Sequence, residues 1–180
     1  MYILGGKLKG KKLATCKMKS IRPAMGVVRK SIFDTLKDLV INSEILDLCA
    51  GTGIHAIEAL SRGAKKITLI DSDKNAIKLI NKNLSLCNST AQIILGKLPK
   101  SLNRLKNQSF DIVFLDPPYG QSLFIEEVLV LLTQKKLIKR NGFIIVESES
   151  KSNFVMPGEF TLYKEKRFGN TKITFLGYII

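Results

Sequence analysis

Apolar positions divide most of the chain into short continuous runs that alternate with stretches of helical periodicity. In chain order the pattern predicts a helix over 24–40, a strand over 45–48, a helix over 54–62, a strand over 66–70, a helix over 74–86, a strand over 91–95, a short helix over 99–105, a strand over 110–115, a helix over 124–132 and a strand over 143–147. Continuous apolar runs of strand length are typical of a parallel sheet buried on both faces. The pattern therefore predicts an α/β protein with helices on both faces of the sheet.

The two ends of the chain depart from this alternation. Strand-like runs over 160–168 and 172–178 are joined by a Gly-Asn-Thr turn at 169–171, which predicts a terminal antiparallel hairpin. At the start, apolar positions flank three glycines and predict a short basic β-hairpin. We expect residues 1–22 to form this extension and residues 23–180 to form one domain.

The composition is that of an ordinary single domain: 180 residues, of which 45% are hydrophobic and 24% charged. No apolar run is long enough to cross a bilayer, and the first residues lack a signal-peptide pattern, so we expect a cytoplasmic protein without membrane attachment. Cys16, Cys49 and Cys87 are scattered and form no CxxC pair, so we expect neither a metal site nor disulfides. All three cysteines are interpreted as small buried hydrophobic side chains.

The charge balance points to a polyanionic partner. Lysine and arginine number 29 against 15 acids, which gives a net charge of +14. Neutralised phosphates release condensed counterions, so such an excess favours nucleic acid, although a generic basic surface is the alternative. The first forty residues favour nucleic acid, because only Asp34 and Asp38 oppose their basic side chains. Those side chains are Lys7, Lys9, Lys11, Lys12, Lys17, Lys19, Arg22, Arg29, Lys30 and Lys37.

A glycine turn separates the strand over 45–48 from the helix over 54–62. Gly51 and Gly53 have no Cβ, so the backbone can turn sharply there and lie against a ligand. The first N–H groups of the following helix point to the same place. This arrangement is typical of a Rossmann-type ligand site, although Ala56 at the third glycine position departs from the dinucleotide fingerprint G-x-G-x-x-G.

Acidic residues lie at the ends of the first two predicted strands. Asp47 lies beside the glycine turn, where a carboxylate can accept hydrogen bonds or hold a cationic ligand group. Asp71 follows Gly51 by about twenty residues, the spacing at which Rossmann proteins place an acid on the ribose hydroxyls of an adenosine moiety. Asp71 could instead cap the next helix, but Asp73 is the better candidate for that cap.

The sequence Asp116-Pro117-Pro118-Tyr119 ends a buried strand and is the most specific signal in the chain. Two prolines leave a rigid backbone without N–H donors, so the Asp116 carboxylate and the Pro117 carbonyl present acceptors. Such acceptors suit the exocyclic amino group of a nucleobase, because they support the positive charge that grows on nitrogen during attack on a methyl group. Tyr119 offers a flat face on which the base can stack. The alternative, an ordinary turn with an exposed tyrosine, is disfavoured by the glycine turn and Asp71 upstream.

On these motifs the chain resembles the bacterial small-subunit ribosomal RNA guanine-N(2) methyltransferases that use S-adenosylmethionine. The resemblance rests on Gly-Gly-Lys-Leu-Lys-Gly-Lys-Lys-Leu at 5–13, Arg22-Pro23, Arg29 with Phe33, residues 47–53, Glu-Ala-Leu-Ser-Arg-Gly-Ala at 58–64, Asp-Pro-Pro-Tyr at 116–119 and Phe-Gly-Asn-Thr-Lys at 168–172. Adenine and glutamine amino methyltransferases share the Asp-Pro-Pro-Tyr motif, but the two ends of the chain favour the narrower family. The resemblance implies a Rossmann-like methyltransferase sheet, mostly parallel with a C-terminal antiparallel hairpin and helices on both faces.

The resemblance also implies roles for particular residues. S-adenosylmethionine, with S-adenosylhomocysteine as product, would be bound by Asp47, Ala50, Gly51, Thr52, Gly53, Asp71 and Ser72. A guanine flipped from its stack would be held by the catalytic residues Asp116, Pro117 and Tyr119. The RNA backbone would be bound by Lys7, Lys9, Lys11, Lys12, Arg22 and Arg29. The implied partner is small-subunit ribosomal RNA or the assembling 30S particle, and we expect a cytoplasmic monomer without a metal.

Two parts of the chain depart from the family pattern. Positions that carry Thr, Asp, Arg and Glu in the family are here Ala24, Gly26, Val27 and Lys30, with Met25 at the variable position between the first two. After the third strand, Gly96 and Lys97 stand where many such enzymes place an acid for the adenine amino group. Adenine would then be bound by backbone and apolar contacts, with Ile93, Leu95 or Leu98 as candidates.

Two polar residues of the helix after the glycine turn have open roles. His55 could approach the ligand, but a packing or surface role is preferred, because methyl transfer to an amino group needs no histidine base. Glu58 could tie down the glycine loop or be a solvated helix charge.

Two other functions stay open at this point. A DNA adenine amino methyltransferase would share the same core, but the chain has no insertion that could enter a major groove. A non-catalytic RNA-binding assembly factor on the same fold is favoured by the departures at 24–30 and at Lys97. The retained acids and glycines oppose that alternative.

Overall fold

The computed structural model describes residues 1–15 and 24–180. The helices are α1 (Ala24–Leu36), α2 (Ile54–Ser61), α3 (Lys74–Leu86) and α4 (Ser122–Gln134), with 3₁₀-helices at Lys37–Val40 and Lys100–Leu105. The strands are β1 (Glu44–Leu48), β2 (Lys66–Asp71), β3 (Gln92–Leu95), β4 (Phe110–Leu115), β5 (Ile138–Glu149), β6 (Phe160–Phe168) and β7 (Thr171–Tyr178). No helix within these two described ranges is both long enough and apolar enough to span a membrane.

All seven strands form one sheet in the order β3-β2-β1-β4-β5-β7-β6. The first five strands of this order are parallel, and β7 runs antiparallel to both β5 and β6. The chain moves outward from β1 to β3 and then returns to β4 on the other side of β1. Ligands of open α/β sheets bind at such a reversal, outside the carboxyl ends of the strands. The predicted mostly parallel sheet with a C-terminal antiparallel hairpin is confirmed.

Two apolar clusters cover the two faces of the sheet. Alternate strand residues belong to different clusters: Ile45 and Phe114 contribute to one, Leu46 and Val113 to the other. This alternation follows from the two-residue period of a strand. The helices α1, α2 and α3 pack on the first face and α4 on the second. The predicted helices on both faces are therefore confirmed.

Element bounds differ from the prediction mainly in β5, which begins at Ile138 rather than at residue 143. The polar stretch at 139–142 hides this extension in the sequence. Asn141 has a φ of 61°, and the pairing of β4 with β5 shifts register there. An irregular strand of this kind has no continuous apolar run, so the pattern could not predict it. The predicted helix over 24–40 is α1 followed by a 3₁₀-helix.

The N-terminal segment, residues 1–15, is simpler than the predicted hairpin. Its two arms meet at one antiparallel bridge, between Tyr2 and Lys12. Ile3 and Leu13 are 1% and 2% exposed and belong to the same core cluster as α1 and α2. The predicted boundary between residues 22 and 23 lies outside the described residues, and the division into two parts stays a prediction.

Candidate active site

A cleft of about 740 Å³ opens at the carboxyl ends of β1, β2 and β4. The predicted residues that line it are Asp47, Ala50, Gly51, Thr52, Asp71, Ser72, Asp116, Pro117 and Tyr119. Further lining residues include Val28, Arg29, Cys49, Ile54, His55, Gly96, Lys97, Leu98, Gln121, Phe124 and Glu147. Three segments far apart in the sequence thus meet at one edge of the sheet, as parallel strand ends require.

The glycine loop, residues 49–53, has a backbone that only small residues tolerate well. Gly51 and Gly53 have φ of +55° and +73°, in the left-handed region. A Cβ on Gly53 would lie 3.2 Å from Leu69 and 3.3 Å from Ile80, so this position also lacks space. Gly53 lies behind the residues that line the cleft, where its lack of a Cβ lets the loop pack against β2 and α3, and its contact with the cofactor stays a prediction.

A buried asparagine, which the sequence prediction missed, braces this loop. The Asn83 side-chain amide donates to the Thr52 carbonyl at 3.0 Å and to the Ala14 carbonyl at 3.2 Å. Its Oδ1 accepts from the Ala14 N–H at 2.8 Å. Asn83 has no exposed surface. One side chain therefore joins α3, the N-terminal segment and the glycine loop.

Asp47 is a buried carboxylate in the wall of the cleft. It is 2% exposed, and its Oδ2 has no hydrogen-bond partner among residues 1–15 and 24–180. Burial raises the pKa of Asp47 to about 7; a hydrogen bond from the Ala56 backbone opposes the shift and the Asp71 charge adds to it. An unpaired buried acceptor of this kind is costly unless a donor or cation reaches it. The cleft thus presents a site suited to a cationic ligand group.

Asp71 has partners on both sides of its carboxylate. Oδ2 accepts from the Gly51 N–H at 2.7 Å and Oδ1 accepts from the Asp73 N–H at 2.8 Å. Asp73 in turn accepts from the Asn75 N–H at 2.8 Å and is the N-cap of α3, which confirms the preference for Asp73 as the cap. Asp71 therefore fixes the glycine loop against β2, and its ribose role stays a prediction.

The loop at residues 116–121, which we call the catalytic loop after its predicted role, forms the opposite wall. Pro117 and Pro118 carry no N–H, and the Asp116 N–H lies 3.5 Å from the Leu48 carbonyl. The Tyr119 hydroxyl lies 2.7 Å from Thr171 Oγ1 on β7. Gly120 follows with a φ of 82°. Side-chain contacts rather than regular backbone pairing therefore hold much of this loop.

Three carboxylates lie close enough to Cys49, a residue of the glycine loop, to raise the pKa of its thiol. Burial raises the pKa of the Cys49 thiol to about 12, and the charges of Asp116, Asp71 and Asp47 add to that shift. Cys49 is half-buried, free and in the cleft wall, in contrast to the predicted buried position. Such a thiol is protonated near neutral pH and is no nucleophile.

A family model described as "Conserved hypothetical protein 95" matches residues 1–177. The chain belongs to this family. A relative in Buchnera aphidicola named "Ribosomal RNA small subunit methyltransferase D" is 37% identical over 167 residues, 92% of this chain and 87% of that protein. A protein of the same name in Haemophilus influenzae is 37% identical over 171 residues, 93% of this chain and 88% of its own length. A solved structure described as a putative methyltransferase from Escherichia coli is 30% identical, with a TM-score of 0.89 over 99% of this chain and 98% of that chain.

Four of the residues predicted to bind RNA are lysines of the N-terminal segment, and their side chains lie at or near the protein surface. Lys7, Lys9 and Lys12 are exposed and Lys11 is half-buried, all in the N-terminal segment. Arg22, together with Lys17, Lys19 and Cys16, lies outside the described residues.

The position of Arg29 contradicts its predicted contact with the RNA backbone. It is 4% exposed, its Nη2 donates to the Tyr2 carbonyl at 2.7 Å, and its Nε lies 3.4 Å from Glu58 Oε2. The guanidinium is therefore engaged inside the protein, between α1, α2 and the N-terminal segment. Sequence alone could not show this, because the pairing depends on how α1 packs against α2.

Glu58 is neither a solvated charge nor a direct tie to the glycine loop. It has no exposed surface, and its Oε2 accepts from the Leu4 N–H at 2.8 Å. Its Oε1 lies 2.9 Å from both Nε and Nη2 of Arg62. With Arg29 on the other side, the carboxylate holds the N-terminal segment against α2.

His55 packs against Phe114, with ring centroids 5.2 Å apart and planes at 24°. Burial lowers the pKa of His55 to about 4, and the Arg29 charge adds to the shift. The imidazole is thus neutral near neutral pH. The ring packs in the protein as the preferred packing or surface role expects, and it also forms part of the cleft wall.

The region expected to bind adenine contains three consecutive lining residues, Gly96, Lys97 and Leu98. Of the three apolar candidates, Leu98 lines the cleft, Ile93 packs against the core, and Leu95 is 41% exposed. Leu98 is therefore the candidate that the geometry favours. Glu147, which follows the buried part of β5, is a lining residue that the sequence analysis did not consider.

Proposed function

We propose that this protein transfers the methyl group of S-adenosylmethionine to the exocyclic N2 amino group of a guanine in small-subunit ribosomal RNA, with S-adenosylhomocysteine as the product. The observation that carries the proposal is the meeting of two unlike walls in one cleft. One wall is the glycine loop with Asp47 and Asp71, and the other is the acceptor-rich catalytic loop. The names of the two Buchnera and Haemophilus relatives support ribosomal RNA of the small subunit as the substrate.

The residues of the first wall fit S-adenosylmethionine. Its amino group is a cation, and the unpaired, buried Oδ2 of Asp47 is the acceptor that such a cation satisfies. Asp71 would accept the ribose hydroxyls, and Leu98 with the backbone of Gly96 would contact the adenine. When bound, S-adenosylmethionine supplies a methyl group activated by a sulfonium centre.

The residues of the second wall fit the acceptor base. The Asp116 carboxylate and the Pro117 carbonyl would accept the two protons of the exocyclic amine, which draws electron density onto its nitrogen. As the nitrogen gains positive charge, the Asp116 carboxylate would stabilise it and would accept the proton that leaves. The Tyr119 ring would hold the base flat, so that positioning supplies much of the rate.

The basic N-terminal segment supports a polyanionic substrate. Lys7, Lys9, Lys11 and Lys12 would bind the RNA backbone, and Arg22 stays in the proposal as a contact outside the described residues. The proposed setting is the cytoplasm, the proposed acceptor is small-subunit ribosomal RNA or the assembling 30S particle, and the proposed state is a monomer. The proposed layout keeps residues 1–22 as the RNA-binding extension of a 23–180 catalytic domain.

The test is transfer of labelled methyl groups from S-adenosylmethionine to 30S particles, and to their purified RNA, from a strain that lacks this gene. We expect label in the RNA with wild-type protein and at least a 100-fold lower rate with Asp116→Ala, because the loss removes the main charge-stabilising group. Asp111→Ala is the matched control, since Asp111 lies at the opposite end of β4 and pairs with Lys139.

Two outcomes would contradict the proposal. Label in duplex DNA but not in RNA would support the adenine methyltransferase alternative. Failure of calorimetric titration to detect S-adenosylmethionine binding, together with retained RNA binding, would support the non-catalytic assembly factor.

A further inference from the structure

A side-chain contact of Tyr119 ties the catalytic loop to the C-terminal hairpin. Two residues of the loop are prolines without N–H groups, and the Asp116 N–H reaches the Leu48 carbonyl at 3.5 Å, the long limit of a hydrogen bond. Gly120, with a φ of 82°, adds a flexible position directly after Tyr119. Contacts of the Tyr119 side chain therefore contribute to the orientation of its ring. Its hydroxyl lies 2.7 Å from Thr171 Oγ1, a residue 52 positions later in the chain.

The backbone of Thr171, in contrast, is held by strand pairing on both sides. This residue is the first of β7, and its neighbours across the sheet are Glu149 of β5 and Phe168 of β6. Thr171 is 4% exposed. A strand paired on both sides cannot shift without breaking two ladders of hydrogen bonds.

The turn before Thr171 is fixed as well. Ser150 follows β5, and its N–H donates to the Asn170 carbonyl at 2.9 Å while its Oγ donates to the Gly169 carbonyl at 2.7 Å. Next to Thr171, the nearly buried Lys172 donates to the Ser152 carbonyl. These hydrogen bonds hold the C-terminal hairpin in place, and its Thr171 hydroxyl contacts the catalytic loop.

We propose that Thr171 is a positioning residue for methyl transfer, which fixes the Tyr119 ring so that the ring can hold the acceptor base. The inference rests on the proposed function. A tyrosine ring that is held in one rotamer before the base arrives loses no side-chain freedom on binding. The C-terminal hairpin then contributes to catalysis indirectly, through the Tyr119 ring.

The same contact defines what the Tyr119 hydroxyl does. Because it is bonded to Thr171, the hydroxyl acts on the protein, and the aromatic face is the part that acts on the substrate. Removal of either partner of the bond should therefore have the same effect. Removal of the whole ring should cost far more, since stacking is lost as well.

The test compares three substitutions on one strand. Thr171→Val removes the hydroxyl and keeps the shape, whereas Thr171→Ser keeps the hydroxyl. Thr174→Val is the matched control, because Thr174 lies on the same strand and its buried Oγ1 has no hydrogen-bond partner within the described ranges. We expect kcat to fall about tenfold in Thr171→Val and to stay within about twofold of wild type in the other two. The KM for S-adenosylmethionine should not change in any of them.

A double-mutant cycle gives a second comparison. Tyr119→Phe should lower kcat as much as Thr171→Val does, and the double variant should be no slower than either single variant. If Tyr119→Phe is much slower than Thr171→Val, the hydroxyl acts on the substrate and the inference is wrong. Equal rates for Thr171→Val and Thr174→Val would also overturn it.

A measurement without turnover separates this inference from the proposed function. The protein contains four tyrosines, so ring resonances of ¹³C-labelled tyrosine are few, and Tyr119→Phe assigns the one of interest. We expect one sharp Tyr119 ring environment in wild type and in Thr174→Val, and an averaged one in Thr171→Val. An unchanged Tyr119 signal in Thr171→Val would overturn the inference, whether or not wild-type protein methylates RNA.

Discussion

At the scale of single residues, Asp47 shows how a binding site is built at the expense of stability. Asp47 accepts a hydrogen bond from the Ala56 backbone, but it is 2% exposed and one of its oxygens has no partner among the described residues, so its burial costs stability in the free protein. The proposed binding of a cationic ligand group would offset this cost. Functional sites commonly keep such groups, because the same burial that destabilises the free carboxylate strengthens its attraction for the ligand.

The first prediction concerns the pH dependence of stability that Asp47 causes. Its pKa of about 7 in the folded protein lies above the ordinary 3.8, so the folded state binds more protons than the unfolded state between these values. The free energy of unfolding should therefore fall as pH rises from about 4 through about 7. Asp47→Asn removes this dependence. Urea unfolding gives the free energy of unfolding of the variant minus that of wild type, and we expect this difference to be roughly 2–4 kcal/mol larger at pH 8 than at pH 4. Parallel pH profiles for the two proteins would contradict the prediction.

The sequence predicted the strand-end residues of the site well, for a physical reason. Asp47, Asp71 and Asp116 each end a buried strand, and parallel strands bring their ends to one edge whatever the details of packing. Asn83 and Thr171 could not be predicted in this way. They reach their partners, Thr52 and Tyr119, across 31 and 52 residues of sequence, through tertiary contacts that no local pattern records.

At the scale of elements, α3 is more than a cover for the sheet. Its Asn83 side chain holds the glycine loop through Thr52 and the N-terminal segment through Ala14. We predict that Asn83→Asp weakens S-adenosylmethionine binding about tenfold, because a carboxylate keeps the bond to the Ala14 N–H but faces two carbonyl oxygens without a proton to share. Calorimetric titration measures the change.

The matched control for this prediction lies on the same helix. Asn81 is exposed, and its amide donates only within α3, to the Ile77 carbonyl. Asn81→Asp should bind S-adenosylmethionine as wild type does. If Asn83→Asp also binds as wild type does, the glycine loop does not depend on α3.

A second prediction at this scale concerns the attachment of the N-terminal segment. Glu58 has no exposed surface and lies between Arg29 and Arg62. Glu58→Gln leaves the nearly buried Arg29 without its counter-charge, so urea unfolding should show a loss of roughly 3–5 kcal/mol. Glu127→Gln, on the exposed face of α4, should stay within about 0.5 kcal/mol of wild type. A loss at Glu58 no larger than at Glu127 would mean that the buried charges are compensated elsewhere.

Elements were predictable where one periodicity holds throughout. The bounds of α3, β4 and β6 agree with the predicted ranges, since each is uniformly helical or strand-like in its pattern. The first part of β5 was missed because residues 139–142 are polar and irregular. The N-terminal hairpin was overestimated, since its apolar residues pack into the core rather than pairing along two strands.

At the scale of the whole molecule, the net charge of +14 means that affinity for RNA should fall as the salt concentration rises. We predict that replacing Lys7, Lys9, Lys11 and Lys12 by glutamine lowers the slope of log affinity against log salt by roughly 3. Lys135→Gln with Lys136→Gln is the control, because these exposed lysines follow α4, which packs on the other face of the sheet from the N-terminal segment. Equal slopes for the two variants would show that the N-terminal segment does not contact the RNA backbone.

The central claim, that one cleft joins a methyl donor to a guanine amino group, is tested most directly by mass mapping of modified nucleosides in small-subunit ribosomal RNA. The RNA should come from a strain without this gene, complemented with either wild-type protein or Asp116→Ala. The account predicts one N2-methylguanosine that is present with the wild type and absent with the variant. Identical RNA from both strains, or a methyl group on another base or atom, would contradict it.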